Sequence, residues 1–263
     1  MITEVHKNQY MEDGYFVVDD LLPPAMFAEV EAACRRVKAK VRSGAVDVYT
    51  HWSTPGDPWC IRGLIDPQFG EPIFAEYLLY EPFMACCRAF MGEELRMGWI
   101  DLRTNPHSDD FPGGWHRDIE KDPSLEREME ILNKPIVDFR WYLPLVEDNC
   151  LQIVPGSHRR NRTELERDCL INNPHIDLPD QLTINLRPGQ VAFWSGNTIH
   201  RGTMSKDVER LTLAASWAKY RPDEPMVKEV DSRFEWRLSD RVRAALPPVL
   251  LPYYDRWYAL QNV

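Results

Sequence analysis

From Gly92 onward the chain breaks into short β-prone runs separated by glycine and proline, and this texture limits the fold more than any other feature of the sequence. The runs are LRMGWIDLRT from Leu95, VDFRWYLPL from Val137, LQIVPGSH from Leu151, QLTINLRPGQVAFW from Gln181 and RLTLAASWA from Arg210. Several short strands punctuated in this way predict an antiparallel sandwich or barrel. Upstream the period changes. A Pro-Pro pair that can open a helix precedes Met26, Phe27, Val30, Ala33, Val37 and Val41, which recur at helical spacing and predict a helix from Ala25 to about Val41. A second helical segment is expected from about Glu71 to Met91, with Gly92 placed to end it, and Tyr15 to Val18 reads as a short strand. The expected class is α+β and mainly β, with N-terminal helices buttressing a β-sandwich.

At 263 residues the chain fits one main domain, residues 1–263. It would comprise a helical first third, a strand-rich part from about 93 to 220 and an aromatic tail from Leu251 that packs on its own core or on a neighbouring subunit. No apolar run approaches the roughly 18 residues of a membrane helix, and MITEVHKNQY lacks the apolar centre of a signal peptide. The cytoplasm is the expected compartment. A formal charge of −10 works against unspecific attraction to nucleic acid or anionic membranes, so neither is an expected partner. The basic stretch Arg35 to Arg42 reads as a solvated helix face. Six cysteines without a C-x-x-C pair read as reduced thiols.

Two stretches carry metal-ligand types: WHRD at Trp115 to Asp118 and IHRG at Ile199 to Gly202. His116, Asp118 and His200 have the composition of a two-histidine, one-carboxylate triad, which leaves open positions on a non-haem Fe(II) ion. Residues i and i+2 of a strand face the same way, so His116 and Asp118 could meet one ion. Around His200, Pro188-Gly189 makes a turn, Val191 to Trp194 reads as a buried strand, and Ser195-Gly196-Asn197 turns the chain back. Arg210 stands ten residues past His200, where it could hold an anionic co-substrate beside the metal. A lone strand histidine is more often structural, and a lone arginine at a strand start is usually a surface charge. Their joint occurrence with H-x-D favours one site that explains all four residues. The charged segment Glu120 to Pro135 reads first as a surface insertion between strands and second as a lid over the site.

In this order, H-x-D, L-x-x-V-P-G-S-H, P-G-Q-V-A-F-W, the second histidine and then Arg210, the chain resembles the phytanoyl-CoA dioxygenase-like family of Fe(II)/2-oxoglutarate-dependent oxygenases. The opening MEDGYFVVDDLL resembles that family too. The resemblance implies a double-stranded β-helix, or jelly-roll, and implies that His116, Asp118 and His200 are the catalytic iron ligands. It implies that Arg210 pairs with the distal carboxylate of 2-oxoglutarate, a role suited to a bidentate guanidinium. Arg140 and Trp141 lie on the strand where the family places a residue that seats the co-substrate. Arg103 and Asn105, before the H-x-D, could line the pocket, and Val154 to His158 reads as a turn that shapes the end of the jelly-roll. EDNC departs from the family pattern, in which a glycine commonly follows the asparagine.

The implied reaction converts 2-oxoglutarate and O2 to succinate and CO2 while a small-molecule metabolite is hydroxylated. Related halogenases have a small residue where Asp118 stands, so the aspartate argues for oxygenation, desaturation, ring formation or oxidative removal of a group, with simple hydroxylation the leading choice. Arg62 and Arg103 could face an acidic substrate, and Tyr49, Trp52, Trp59, Tyr253, Tyr254, Trp257 and Tyr258 could enclose it or pack the core. A homodimer is the expected assembly. The alternatives are a cupin-like metalloenzyme that does not use 2-oxoglutarate, with Arg210 structural, and a non-catalytic jelly-roll that binds a ligand.

Overall fold

A computed structural model describes residues 2–46, 50–54, 57–223 and 236–261, with the backbone alone for 50–54 and 57. Helix α1 (Glu4–Asp13) starts at Thr3, whose hydroxyl accepts from the His6 amide, and ends at Gly14 with φ 84°. Strand β1 (Tyr15–Val18) leads into α2 (Pro24–Arg42), which buries the predicted stripe of Val30, Ala33, Val37 and Val41. Strands β2 (Thr50–Thr54) and β3 (Asp57–Ile61) follow.

The single helix expected over Glu71 to Met91 is two, α3 (Ile73–Leu78) and α4 (Glu81–Met91), broken at Tyr80, whose backbone is extended. Pro82 explains the break. It has no N–H to donate, its ring would clash with the Leu78 carbonyl, and it fits the first turn of a new helix.

The strand-rich part runs β4 (Leu95–Thr104), β5 (Phe111–Pro112), α5 (Leu125–Leu132), β6 (Asp138–Pro144), β7 (Leu151–Val154), a 3-10 turn at Ser157–Arg159, α6 (Glu164–Ile171), β8 (Leu182–Thr183), β9 (Val191–Trp194), β10 (Ile199–Met204) and β11 (Leu211–Lys219). Helices α7 (Asp240–Ala245) and α8 (Leu251–Ala259) come last among the described residues. The strands form a seven-stranded sheet, ordered β1-β9-β6-β11-β4-β3-β2, and a four-stranded sheet, ordered β5-β10-β7-β8. All their pairings are antiparallel, the arrangement of a jelly-roll.

Strand alternation gives the large sheet two different faces. Phe139, Trp141 and Leu143 of β6, with Phe193 and Trp217 from its neighbours, join the main core together with residues of α2, α3 and α4. Arg140 and Tyr142, at the intervening positions, line the cavity on the inner side of the sheet instead. Leu151 and Ile153 of the small sheet cluster with Ala192 and Trp194 of the large one. The C-terminal aromatics serve the chain's own core: Tyr254 and Trp257 are buried, and Tyr253 packs edge-on against Trp217 with ring centres 4.9 Å apart. Tyr49 and the side chain of Trp52 lie outside the described residues.

The charged insertion contains α5 and is not a free loop. Glu128 of this helix is fully buried between Arg117 and Arg162. No described helix is long and apolar enough to cross a membrane.

Candidate metal centre

Backbone pairing creates the site. His116 and His200 form an isolated antiparallel bridge, in which each amide donates to the other's carbonyl at 2.9 Å. The Asp118 amide donates to Gly196 O at 2.9 Å, which draws the next residue of the H-x-D under the Ser195-Gly196-Asn197 turn. The V-P-G-S-H segment helps to place the second histidine: Ser157 Oγ accepts from the Ile199 amide at 2.8 Å and donates to Val154 O at 2.6 Å. The donor atoms of His116, Asp118 and His200 consequently lie within 4.8 Å of one another.

Both imidazoles are held in place through Nδ1. Nδ1 of His116 lies 2.8 Å from Gly114 O, and Nδ1 of His200 lies 2.8 Å from Thr198 O. A carbonyl only accepts, so each Nδ1 carries a proton and Nε2 is the nitrogen left to meet a metal. His116 Nε2 stands 3.8 Å from Asp118 Oδ1, and the two imidazole centres are 4.2 Å apart. Burial pushes the His200 imidazole down to about 4, against the pull of Asp118, so it is neutral near pH 7.

Asp118 presents one oxygen to the histidines and gives the other, Oδ2, to Arg140 Nη1. Burial acts to raise its carboxyl, but Arg140, with His200 and His116, holds it down to about 2. Arg140 is itself fixed from behind by Asp138, to which its Nε donates at 2.9 Å. Gly196 permits this close packing, because a Cβ there would stand 2.7 Å from Asp118 Oδ2 and 2.8 Å from Arg140 Cζ. The two imidazoles, with His200 neutral, and an ionised carboxylate match the donor types of a non-haem Fe(II) site. The His116 and Asp118 side chains keep 52% and 37% exposure, leaving the approach to their donor atoms open.

A cavity of about 450 Å³ is lined by all three donors and by Arg103, Arg140 and Arg210. Arg210 is buried; its Nε donates to Asp148 Oδ2 at 2.9 Å and its Nη1 to Met204 Sδ at 3.0 Å. Trp141 is a correction. It faces the opposite side of β6, is fully buried, stacks on Phe83 with centres 4.8 Å apart and donates from Nε1 to Tyr77 Oη at 2.8 Å. It cannot seat a ligand in the cavity. Asn105 is another correction: it lies past the end of β4, accepts from the Arg210 amide at 3.4 Å and donates to Lys206 O at 3.1 Å, so it braces a loop. Sequence reasoning missed Tyr142 and Trp194 on the cavity wall and Thr212 and Asp148 around Arg210. The period of two offered a signal, since Thr212 follows Arg210 by two positions at the start of β11 and Tyr142 follows Arg140 on β6.

A jelly-roll that gathers H-x-D, a distant strand histidine and an arginine on one cavity defines the class of non-haem iron, 2-oxoglutarate-dependent oxygenases. The chain belongs to the phytanoyl-CoA dioxygenase (PhyH) family, whose sequence profile matches residues 10–207. Among solved structures the fold is similar to AviO1 from Streptomyces viridochromogenes Tue57, at 17% identity and TM-score 0.61 over 83% of this chain and 97% of that one. It is also similar to EctD from S. alaskensis, at 18% identity and TM-score 0.63 over 83% and 77% of the two chains. The epimerase SnoN from nogalamycin biosynthesis matches at 22% identity and TM-score 0.59 over 82% and 80%. No curated protein matches the chain.

Proposed function

We propose that His116, Asp118 and His200 bind one Fe(II) ion, that Arg210 holds the distal carboxylate of 2-oxoglutarate, and that the enzyme hydroxylates a small-molecule metabolite. The observation that carries this reading is the convergence of the three donor atoms, with both Nδ1 atoms tied to carbonyls, on a cavity that Arg210 also lines. Structures of similar fold support the co-substrate: EctD is known with 2-oxoglutarate and 5-hydroxyectoine, and SnoN with Fe3+ and alpha ketoglutarate.

Iron with 2-oxoglutarate supplies the chemistry that turns O2 into an oxidant of a substrate C–H bond, leaving succinate and CO2. The chain orients and encloses. The two Nε2 atoms and Asp118 Oδ1 would take one side of the ion, and the cavity side would take the co-substrate and O2. Arg140 fixes the plane of the Asp118 carboxylate by holding Oδ2. Asp148 fixes Arg210 through Nε and Met204 Sδ takes one Nη1 hydrogen, so a carboxylate would be met by the remaining Nη hydrogens. Trp194, edge-on to His200 with ring centres 4.6 Å apart, keeps water from the buried ligand. With Asp118 as a ligand, no position would be vacated for a halide, which argues against halogenation, and hydroxylation is the leading outcome among those that remain.

The test is an anaerobic titration of Fe(II) and 2-oxoglutarate, read at the weak visible charge-transfer band of the chelate. Wild type gives the band, His200→Ala gives none, and Arg210→Met raises the apparent 2-oxoglutarate Kd at least tenfold, on the order expected for a charge-assisted pair. A band that survives His200→Ala, or an unaltered Kd in Arg210→Met, removes the respective assignment. Succinate release then screens substrates, and its absence would favour the cupin-like alternative.

The same reading takes residues 1–263 as one domain, with a small molecule and not nucleic acid or a membrane as partner. The six cysteines are buried free thiols, which supports the reducing cytoplasm as the working compartment. Because Tyr254 and Trp257 pack on their own chain, a homodimer would use another surface, and sedimentation tests for it.

A further inference from the structure

The cavity has a second basic centre, set apart from the metal ligands across the large sheet. Arg140 is in register with Trp194 on β9, whereas Arg103, on the far side of β11, is in register with Thr212 on β11 and Cys60 on β3. Arg103 has one carboxylate within 4.0 Å among the described residues. Its nearest carboxylate oxygen, Asp101 Oδ2, lies 3.5 Å from Nη2, and Arg62 Nη1 holds that same oxygen at 2.8 Å. One aspartate therefore serves two guanidinium groups. The Nε of Arg103 is buried and has no hydrogen-bond partner among the described residues. Cys60 supplies no counter-charge, because burial pushes its thiol up. A guanidinium does not shed its proton, so the charge stays in a side chain that is only 15% exposed. A buried charge of this kind calls for a partner.

The wall beside it is aromatic. Trp59 and Phe111 stack with centres 4.6 Å apart, Arg103 Cζ stands 5.9 Å from the Trp59 ring centre, and Trp99 lines the same cavity. Anionic and flat apolar recognition thus meet at one end of a space that also contains the metal ligands.

We propose that this end is the substrate subsite and that the substrate is an organic carboxylate with an apolar body, its carboxylate on Arg103 and its body against Trp59 and Phe111. The proposal rests on the metal-centre reading above, since it is the Fe(II) ligands that give a substrate bound there a reaction. The site fits a small acid in size, because ligand cavities run from about 300 to 1,000 Å³. The carboxylate of 2-oxoglutarate is the rival source of the same chemistry, and Arg210 already provides for it.

The experiment titrates the anaerobic Fe(II)/2-oxoglutarate-loaded protein with 3-phenylpropanoate and, separately, with 3-phenylpropanamide, reading tryptophan fluorescence. The acid should bind at least tenfold more tightly than the amide, Arg103→Gln should abolish that preference, and Arg103→Lys should retain part of it. The charge-transfer titration of 2-oxoglutarate should be unchanged in both variants, which also shows that they fold. Equal binding of acid and amide, no saturable binding of either, or a preference that survives Arg103→Gln overturns the proposal. A weakened 2-oxoglutarate titration in Arg103→Gln assigns the residue to the co-substrate and overturns it too. Failure of the metal-centre reading looks different, because wild type would then show no charge-transfer band at all.

Discussion

Gly196 has no chemistry of its own, yet the carboxylate proposed to bind the metal depends on it. Any side chain there would press on Asp118 Oδ2 and Arg140, so Gly196→Ala should separate that pair and let the carboxylate turn. Metal affinity should fall by about tenfold to a hundredfold, the usual consequence of losing the group that orients a ligand, with little change in melting temperature. Calorimetric titration with Co(II) measures it, and wild-type affinity would mean that the pair does not need the space. Trp141 makes the opposite case. Trp141→Ala should cost about 3–5 kcal/mol of stability in urea unfolding while leaving the 2-oxoglutarate titration unchanged. The sequence made Gly196 legible only as part of a turn, because the need for a missing Cβ arises from contact with residues far away in the chain. It put Arg140 and Trp141 on the right strand but could not choose between them, since alternation fixes that two neighbours face apart and not which face holds the cavity.

At the scale of elements, α5 is tied to the metal centre by a buried charge cluster. Arg117, the residue between the two ligands of the H-x-D, donates to Glu128 Oε1 at 2.5 Å and to Ser157 O at 2.6 Å. The Arg162 amide donates to Glu128 Oε2 at 3.1 Å, and its guanidinium reaches Pro123 O at 3.0 Å. Burial lowers the Arg117 guanidinium to about 10, against the pull of Glu128, so it remains charged near neutral pH. Glu128→Ala takes the carboxylate from the buried Arg117 and leaves Arg162 only Asp122 at 3.3 Å, and should destabilise the protein by about 3–5 kcal/mol in urea unfolding. A loss near zero would mean that α5 is dispensable. The helix escaped the sequence reading because a segment dense in Glu and Lys reads as solvated, and a glutamate becomes a core residue only when arginines from elsewhere in the chain arrive to meet it. The break at Tyr80 was legible in principle from Pro82, but the apolar spacing on either side of it is continuous enough to suggest one helix.

For the whole molecule, the two-sheet architecture was legible from Gly92 onward because turn residues and alternation are local signals. The order of strands was not, because pairing joins segments as far apart as β1 and β9. The site was legible as a set of residue types in order, while the supporting Asp148 and Thr212 became visible only once the sheets brought them to Arg210. These carboxylate contacts carry a pH dependence. Burial alone would raise the Asp148 carboxyl, but Arg210, then Thr212 and the Cys150 amide, lower it below its ordinary value. The folded protein therefore holds this proton less tightly than the unfolded chain. The resulting stability is present above pH about 4 and is lost as pH falls through the unfolded and then the folded value. Asp148→Asn should flatten the acid limb of urea stability between about pH 5 and 2, and a parallel limb would show that other carboxylates control it.

The bridge between His116 and His200 makes the metal site a discrete property of the molecule. Strand pairing advances by whole residues, and a slip of one position turns every side chain to the other face. The two imidazoles are thus either both on the cavity side or not opposed at all, with no graded arrangement between. Substitutions that weaken this pairing from a distance, such as Ser157→Ala at the Ile199 amide, should reduce the number of molecules able to bind metal without loosening the grip of those that still can. In a titration this would show as a stoichiometry below one with an unchanged dissociation constant, and a full stoichiometry with weaker binding would show that the ligands can drift.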